Sequence, residues 1–263
     1  MSVFVSHISA LQVWSSLKEG TAALALHADP RKTPCWRTGR PLPQGKVALR
    51  DIQSIGRKIA NLAFPLHVLV PDAACRSRSE LATCHVSSST YPRGSFVRLA
   101  EGVLVSSPEL CFAQMATKLP PIALVRLGFE LCGTYGIPTV ARADYGFERP
   151  FTTVARLGRF IEAAGDMPGT VKARKALRFI ASGSASPMET CMVMLLCLPL
   201  RLGGYNLPKP QMNREVRPKR RGRLAPGDRQ CFCDLVWHEA RVALEYDSSE
   251  FHGPRQAADD ARR

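Results

Sequence analysis

The sequence predicts an α+β or α/β protein in two parts: a mixed N-terminal region of residues 1–183 and an α/β C-terminal domain of residues 184–263. Three observations support this prediction. Short apolar runs alternate with polar residues, as strands do. The pairs Ser107-Pro108 and Ser186-Pro187 combine a capping serine with a proline in the first helical turn. A serine- and glycine-rich segment at residues 182–187 separates the two parts.

Composition favours a polyanion as the partner of this chain. The net charge is +14 and the isoelectric point is near 9.8, so DNA is the expected ligand. No apolar run approaches the ~18 residues of a membrane span, and the first residues lack the features of a secretory signal. Nine cysteines, an odd number scattered along the chain, favour free thiols in a reducing compartment. We therefore expect a cytoplasmic protein that does not enter the membrane.

The N-terminal region begins with a helix and continues with strands. Ser6 is placed to cap the first helix, whose apolar face would carry Ile8, Leu11 and Trp14. Proline-bounded or alternating apolar runs predict four strands. These strands are expected at residues 64–71, 84–87, 95–99 and 102–106.

Helices are expected to follow these strands. Ser107 would cap the first of them, and a second helix would end near Cys132 with Gly133 in the left-handed conformation. Residues 151–180 show helical spacing with a break at 165–169. The last of these helices carries a basic face, which is either a solvated surface or a DNA contact. Its cations are Lys172, Arg174, Lys175 and Arg178.

The C-terminal domain opens with an apolar helix that starts at Ser186-Pro187 and runs to Leu198. Because this helix is almost wholly apolar, we expect it to be buried against a sheet. Glu189 lies in its first turn. One interpretation is a favourable contact with the helix dipole. The other is a carboxylate directed at a metal site formed further along the chain.

That metal site is predicted from two alternating runs, residues 233–237 and 241–247, separated by a polar hinge. They would place Asp234, at the end of one strand, and Glu245 on neighbouring antiparallel strands, close enough to share one divalent cation. Mg²⁺ prefers a few carboxylate oxygens together with water. The alternative is a β-hairpin with ordinary surface acids.

A basic segment precedes the hairpin. Between Lys209 and Arg229 the cations outnumber the acids, and proline and glycine predict a loop or a hairpin connection. Arginine forks match phosphate geometry, so this segment would hold the DNA backbone beside the metal; the alternative is a solvated loop. The candidate DNA-binding residues are Arg214, Arg217, Lys219, Arg220, Arg221 and Arg223.

The helix–strand–strand order of Glu189, Asp234 and Glu245 resembles the PD-(D/E)XK restriction-endonuclease-like core. More narrowly, the C-terminal motifs resemble the endonuclease-like domains related to very-short-patch repair nucleases. These motifs are Ser186-Pro187-Met188-Glu189-Thr190, Asp234-Leu235-Val236-Trp237 and Glu245-Tyr246-Asp247. In such domains an acid that ends the strand is followed five residues later by a histidine, which corresponds here to Asp247 and His252.

The resemblance implies a Mg²⁺-dependent endonuclease that hydrolyses DNA phosphodiester bonds. Asp234 and Glu245 would hold the metal, and Glu189 and Asp247 would assist. His252 would act as general base or acid, since its ordinary pKa is near neutrality. The catalytic set is therefore expected to be Glu189, Asp234, Glu245, Asp247 and His252.

Two departures from that family pattern favour a second hypothesis. The lysine of the (D/E)XK motif is replaced by Asp247, and the chain stops at Arg263, inside an expected helix. We therefore expect the endonuclease-like domain to be truncated, lacking a final strand. The alternative function is a non-catalytic DNA-binding regulator with a degenerate nuclease domain.

The N-terminal region resembles antitoxin-like proteins of bacterial abortive-infection systems, which adds a toxin as an expected partner of such a regulator. The resemblance rests on Ser6-His7-Ile8-Ser9-Ala10, the strand at residues 67–71, the strand ending at Val105 and the helix after Ser107. The DNA sequence or lesion recognised and the oligomeric state stay open.

Overall fold

The chain divides into two compact units, Met1–Pro187 and Met188–Arg263. The predicted boundary, after residue 183, lies just before this division. Both units contain helices and strands, so the mixed class is confirmed, while the endonuclease-like fold of the second unit stays a prediction. A computed structural model describes residues 2–18, 42–58, 62–135, 150–216 and 231–246.

The N-terminal unit is built on a five-stranded mixed sheet with the order β3-β2-β1-β5-β4. β1 pairs parallel with β5 and antiparallel with β2, β2 and β3 are parallel, and β4 and β5 are antiparallel. The four predicted strands correspond to β2–β5 and are confirmed. The bounds are β1 Val3–Val5, β2 Leu66–Val70, β3 Ala82–Val86, β4 Phe96–Ala100 and β5 Val103–Ser106.

Six helices of this unit lie in the described part of the chain. Ser107 caps α3 as predicted, because its Oγ accepts a hydrogen bond from the Leu110 N–H at 3.2 Å. None of the described helices of the protein is long and apolar enough to cross a membrane. The bounds are α1 His7–Lys18, α2 Leu49–Lys58, α3 Pro108–Met115, α4 Pro121–Cys132, α5 Val154–Ala163 and α6 Thr170–Leu177.

The buried face of α1 differs from the prediction. Trp14 is buried as predicted, but Ile8 is 42% exposed, and Val13, which was not predicted, is buried. The reason lies in the sheet, since α1 begins directly after the central strand β1. Ser9 faces β2, where its Oγ accepts the backbone N–H of His67 at 2.9 Å. Contacts with the sheet, not the count of apolar residues, therefore decide which face is buried.

The predicted left-handed cap at Gly133 is wrong, since this residue is extended with φ −88°. The carbonyls at the end of α4 are bound instead by buried Lys18. Its Nζ donates to the oxygens of Gly133 at 3.1 Å and Tyr135 at 2.9 Å, and to that of Glu130. A side chain at position 133 would meet backbone oxygen atoms within 3.0 Å, so glycine serves close packing here.

In its described residues, the C-terminal unit contains one α-helix and an antiparallel sheet with the order β6-β7-β8. Residues 211–216, predicted as part of a loop, form β6, and Asp234 lies in the interior of β7 instead of at its end. Both differences reflect strand pairing that extends beyond the local alternation. The bounds are α7 Pro187–Cys197, β6 Gln211–Val216, β7 Cys231–Trp237 and β8 Val242–Leu244.

The helix α7 is only partly buried. It starts at the predicted serine–proline pair, and Val193 and Cys197 are buried as expected. However, Leu195 is 53% exposed and Met188 is also exposed, so the prediction of burial fails on that side. A small sheet can cover only one side of a helix, whatever the composition of the other side.

Candidate functional site

The β7–β8 hairpin positions the predicted metal ligands. Leu235 pairs with Leu244, so the antiparallel register brings Glu245, the first residue after β8, next to Asp234. The strands are joined by a turn at residues 238–241, which is closed by a backbone hydrogen bond of 3.2 Å. Two carboxylates separated by ten residues in sequence therefore become neighbours.

Asp234 is half-buried beside this second carboxylate. Burial raises the pKa of Asp234, and the negative charge of Glu245 raises it further. A hydrogen bond from the Tyr246 N–H to Asp234 Oδ2, at 2.7 Å, acts in the opposite direction. Carboxylate oxygens are ligands that suit Mg²⁺, so the two residue types match that metal.

Glu245 is exposed, and its contact shows how the pair is arranged. Its Oε1 accepts a hydrogen bond from the Cys233 Sγ at 3.3 Å. Successive residues of a strand point to opposite faces, so Cys233 and Asp234 lie on opposite faces of β7. Glu245 lies past the end of β8, outside the paired ladder, and its carboxylate is bonded on the Cys233 face of β7, opposite to the face of Asp234.

Glu189 is held by β6. It is only 6% exposed in the first turn of α7, and its Oε2 accepts a hydrogen bond from Asn213 Nδ2 at 2.6 Å. The strand pairs on either side of Asn213 place it across from Asp234. The structure thus connects Glu189 with the position opposite Asp234, whereas the sequence predicted a carboxylate directed at the metal pair itself.

Asn213 is the residue of this site that sequence reasoning missed. Its backbone has φ 49°, in the left-handed region that asparagine tolerates better than most residues. Asparagine is also uncommon inside strands, so an asparagine in the middle of β6 was an available signal. The local irregularity places its amide within reach of Glu189.

The remaining predicted residues are distributed as follows. Arg214 is exposed on β6. Within the described ranges, no group of three or more His, Cys, Asp or Glu side chains could hold a metal ion together. A metal site at Asp234 and Glu245 therefore stays a prediction. The other predicted residues lie outside the described residues: Arg217, Lys219, Arg220, Arg221, Arg223, Asp247 and His252.

A second cluster of titratable side chains, not predicted from the sequence, lies in the N-terminal unit. The ring of His7 stacks on that of His85 with centroids 3.7 Å apart, and His67 Nδ1 lies 2.8 Å from His85 Nε2. Burial is the main cause that lowers the pKa of His7 to about 3, that of His85 to about 4, and that of His67. These imidazoles come from α1, β2 and β3, and no sequence spacing connects them.

Comparisons of the chain with protein-family models, with curated proteins and with solved structures find no match. The resemblance to the PD-(D/E)XK core and to antitoxin-like proteins therefore stays a prediction, supported by the residues named above.

Proposed function

We propose that the C-terminal unit hydrolyses DNA phosphodiester bonds with the help of Mg²⁺. The observation that carries this proposal is the β7–β8 register, which sets Asp234 beside Glu245. The raised pKa of Asp234 reflects its burial and the nearby charge of Glu245. Carboxylate oxygens are the ligands that Mg²⁺ prefers.

The chemistry follows from the named residues. Asp234 and Glu245 would hold Mg²⁺, which when bound stabilises charge on a phosphate and activates water. Glu189 is a positioning residue, since it acts through Asn213 on the strand that pairs with β7. By the family resemblance, Asp247 and His252 would complete the catalytic set, with His252 as general base or acid.

DNA is the substrate that the charge favours. The chain has a net charge of +14, and Arg214 is exposed on the strand adjacent to β7. The cations that follow it in sequence, from Arg217 to Arg223, would bind further backbone phosphates. Free thiols at the described cysteines agree with a cytoplasmic location, which we propose for this DNA-binding protein.

Nicking of supercoiled plasmid tests the proposed activity. Wild-type protein is expected to nick with Mg²⁺ and not with EDTA. Asp234→Asn is expected to lower the rate by more than about 100-fold, beyond the 10- to 100-fold typical of residues that only orient a ligand. Glu239→Gln is the matched control, because Glu239 is an exposed carboxylate in the same hairpin. Equal nicking by wild type and Asp234→Asn would refute the assignment.

A second candidate function is a DNA-binding regulator without cleavage activity, paired with a toxin. The observation in its favour is that the Glu189 carboxylate is bound by Asn213 and not set directly on the Asp234–Glu245 pair. Gel-shift titrations with Mg²⁺ and with EDTA, over a salt series, separate the two functions. A regulator binds DNA equally in both and leaves it intact, with affinity falling steeply as salt rises.

A further inference from the structure

A cleft opens on the N-terminal unit, lined by residues that the proposed function does not use. Its volume is about 670 Å³, within the range of roughly 300–1,000 Å³ that suits small ligands. One wall is the segment that precedes α2, and the other is the segment that follows β2. The lining residues of the first wall are Lys46, Val47 and Ala48, and those of the second are Ala73, Ala74, Arg76, Ser77 and Arg78.

The cleft carries positive charge on both walls. Lys46 lies on one wall, Arg76 and Arg78 lie on the other, and all three are exposed. None of the lining residues that the structure describes is acidic. Among the residues that the structure describes, no carboxylate forms an ion pair with these three cations. Arginine and lysine in this state are available to a bound anion.

The nearest acid in sequence has a structural role. Asp72 precedes a 3₁₀ turn, Ala73–Cys75, and its Oδ1 accepts the Cys75 N–H at 3.0 Å. This hydrogen bond lowers the pKa of Asp72. The carboxylate therefore fixes the second wall in place.

The two walls are also tied together, so the cleft is formed before any ligand binds. Cys75 is buried, and its Sγ donates to Gln44 Oε1 at 3.3 Å, which joins the second wall to the first. Ser77 anchors the second wall to β3, since its N–H donates to the Cys84 Sγ at 3.3 Å. A preformed cleft loses less conformational entropy on binding than a flexible surface does.

The lining combines two kinds of residue. Val47, Ala48, Ala73 and Ala74 are small apolar residues, and the other lining residues include the three cations. This combination fits a phosphate ester, whose organic part contacts the apolar residues while its phosphate binds the guanidinium groups. We propose that this cleft binds a phosphate group of a nucleic-acid strand or of a free nucleotide. The site is independent of the Asp234–Glu245 pair and of any cleavage.

Binding in EDTA tests the cleft without interference from cleavage. The probe is a fluorescently labelled 20-nucleotide single strand, followed by anisotropy over a salt series. The double variant Arg76→Gln/Arg78→Gln is expected to bind the strand about tenfold more weakly near 0.1 M salt. Because two phosphate contacts are lost, the magnitude of the slope of log K against log salt should fall by about 1.4. Lys46→Gln, on the opposite wall, is expected to lower the slope by about 0.7.

The matched control is Arg93→Gln/Arg98→Gln, which removes two exposed positive charges elsewhere in the same unit. It is expected to change affinity by no more than about twofold. Circular dichroism melts establish whether each variant is folded. If the double variant is not folded, the binding measured for Lys46→Gln decides the outcome. Equal weakening by the cleft and control pairs, or no effect of any cleft variant, overturns the proposal.

Competition with ADP identifies the source of the phosphate. If ADP displaces the strand from wild type and binds Arg76→Gln/Arg78→Gln more weakly, the cleft takes a free nucleotide. If the strand depends on the cleft and ADP does not compete, the ligand is the nucleic-acid backbone. Either result supports a phosphate site. The proposal is refuted if the cleft variants bind both the strand and ADP as tightly as wild type does.

Discussion

The histidine cluster of the N-terminal unit is expected to make this unit unstable in mildly acidic solution. The pKa of His7 is lowered from 6.5 to about 3, mainly by burial and also by the nearby His85, His67 and Lys118. Its ring stacks on His85, and its backbone N–H donates to Gln114 Oε1 at 3.0 Å. A proton on His7 would place a charge in a buried site that already faces Lys118.

The size of the effect follows from proton linkage. A histidine whose pKa is lower in the folded state binds fewer protons there than in the unfolded state. The folded state therefore keeps its full free energy of unfolding above pH 6.5 and loses part of it as the pH falls toward 3. Each pH unit in that interval removes about 1.4 kcal/mol from the free energy of unfolding. At pH 5 the loss from His7 alone is therefore about 2 kcal/mol.

Urea unfolding at pH 7 and pH 5 measures this loss. Trp14 is buried in the N-terminal unit and reports its unfolding when Trp36 and Trp237 are replaced by phenylalanine. In that background His7→Asn is the test variant, because asparagine tolerates the φ of 50° at this position. His7→Asn should lose about 2 kcal/mol less than its parent between pH 7 and pH 5.

The control is His238→Asn, since His238 is exposed in the turn of the other unit. It should lose the same stability as its parent over this pH interval. The reasoning is refuted if the parent chain keeps its full stability at pH 5, or if His7→Asn loses as much as the parent does.

Three further substitutions test individual contacts. Lys18→Met leaves the carbonyls at the end of α4 without their donor, so the free energy of unfolding should fall by about 3 kcal/mol in urea titrations; a loss below about 1 kcal/mol would contradict this role. Ser107→Ala removes the cap of α3 and should cost about 1 kcal/mol, and an unchanged unfolding midpoint would count against the cap. Asn213→Ala removes this hydrogen bond to Glu189 and should slow plasmid nicking by about 10- to 100-fold, whereas an unaltered rate would remove Asn213 from the site.

Local signals were sufficient for much of the N-terminal unit. The strands β2–β5 and the start of α3 follow from alternation, proline and a serine cap, which act within a few residues. The central strand β1 was not predicted, because three apolar residues show no period. Its pairing with β5, about one hundred residues away, makes it a strand.

Long-range contacts explain the wrong predictions in that unit. Gly133 is extended because Lys18, from the first helix, donates hydrogen bonds to carbonyls at the end of α4. In a left-handed glycine cap, backbone N–H groups would bind the last carbonyls instead. The face of α1 is set by Ser9 and its contact with β2. Neither partner can be found from residues within one helical turn.

The candidate site was predictable in part. Alternation on both sides of a polar hinge predicted that Asp234 and Glu245 would lie on neighbouring strands; Asp234 lies on β7, and Glu245 is the first residue after β8. The partner of Glu189 was not predictable, because it depends on the register between β6 and β7 and on the irregular backbone of Asn213. Which side chains converge is decided by that register.

Cation binding is the most direct measurement on Asp234 and Glu245. Mn²⁺ titration followed by electron paramagnetic resonance, with Mg²⁺ as competitor, counts bound ions without requiring cleavage. Wild type should bind one Mn²⁺ that Mg²⁺ displaces. Asp234→Asn and Glu245→Gln should each bind Mn²⁺ at least about tenfold more weakly, and Glu239→Gln should bind it as wild type does. Equal Mn²⁺ affinity in all four proteins would contradict a metal site at Asp234 and Glu245.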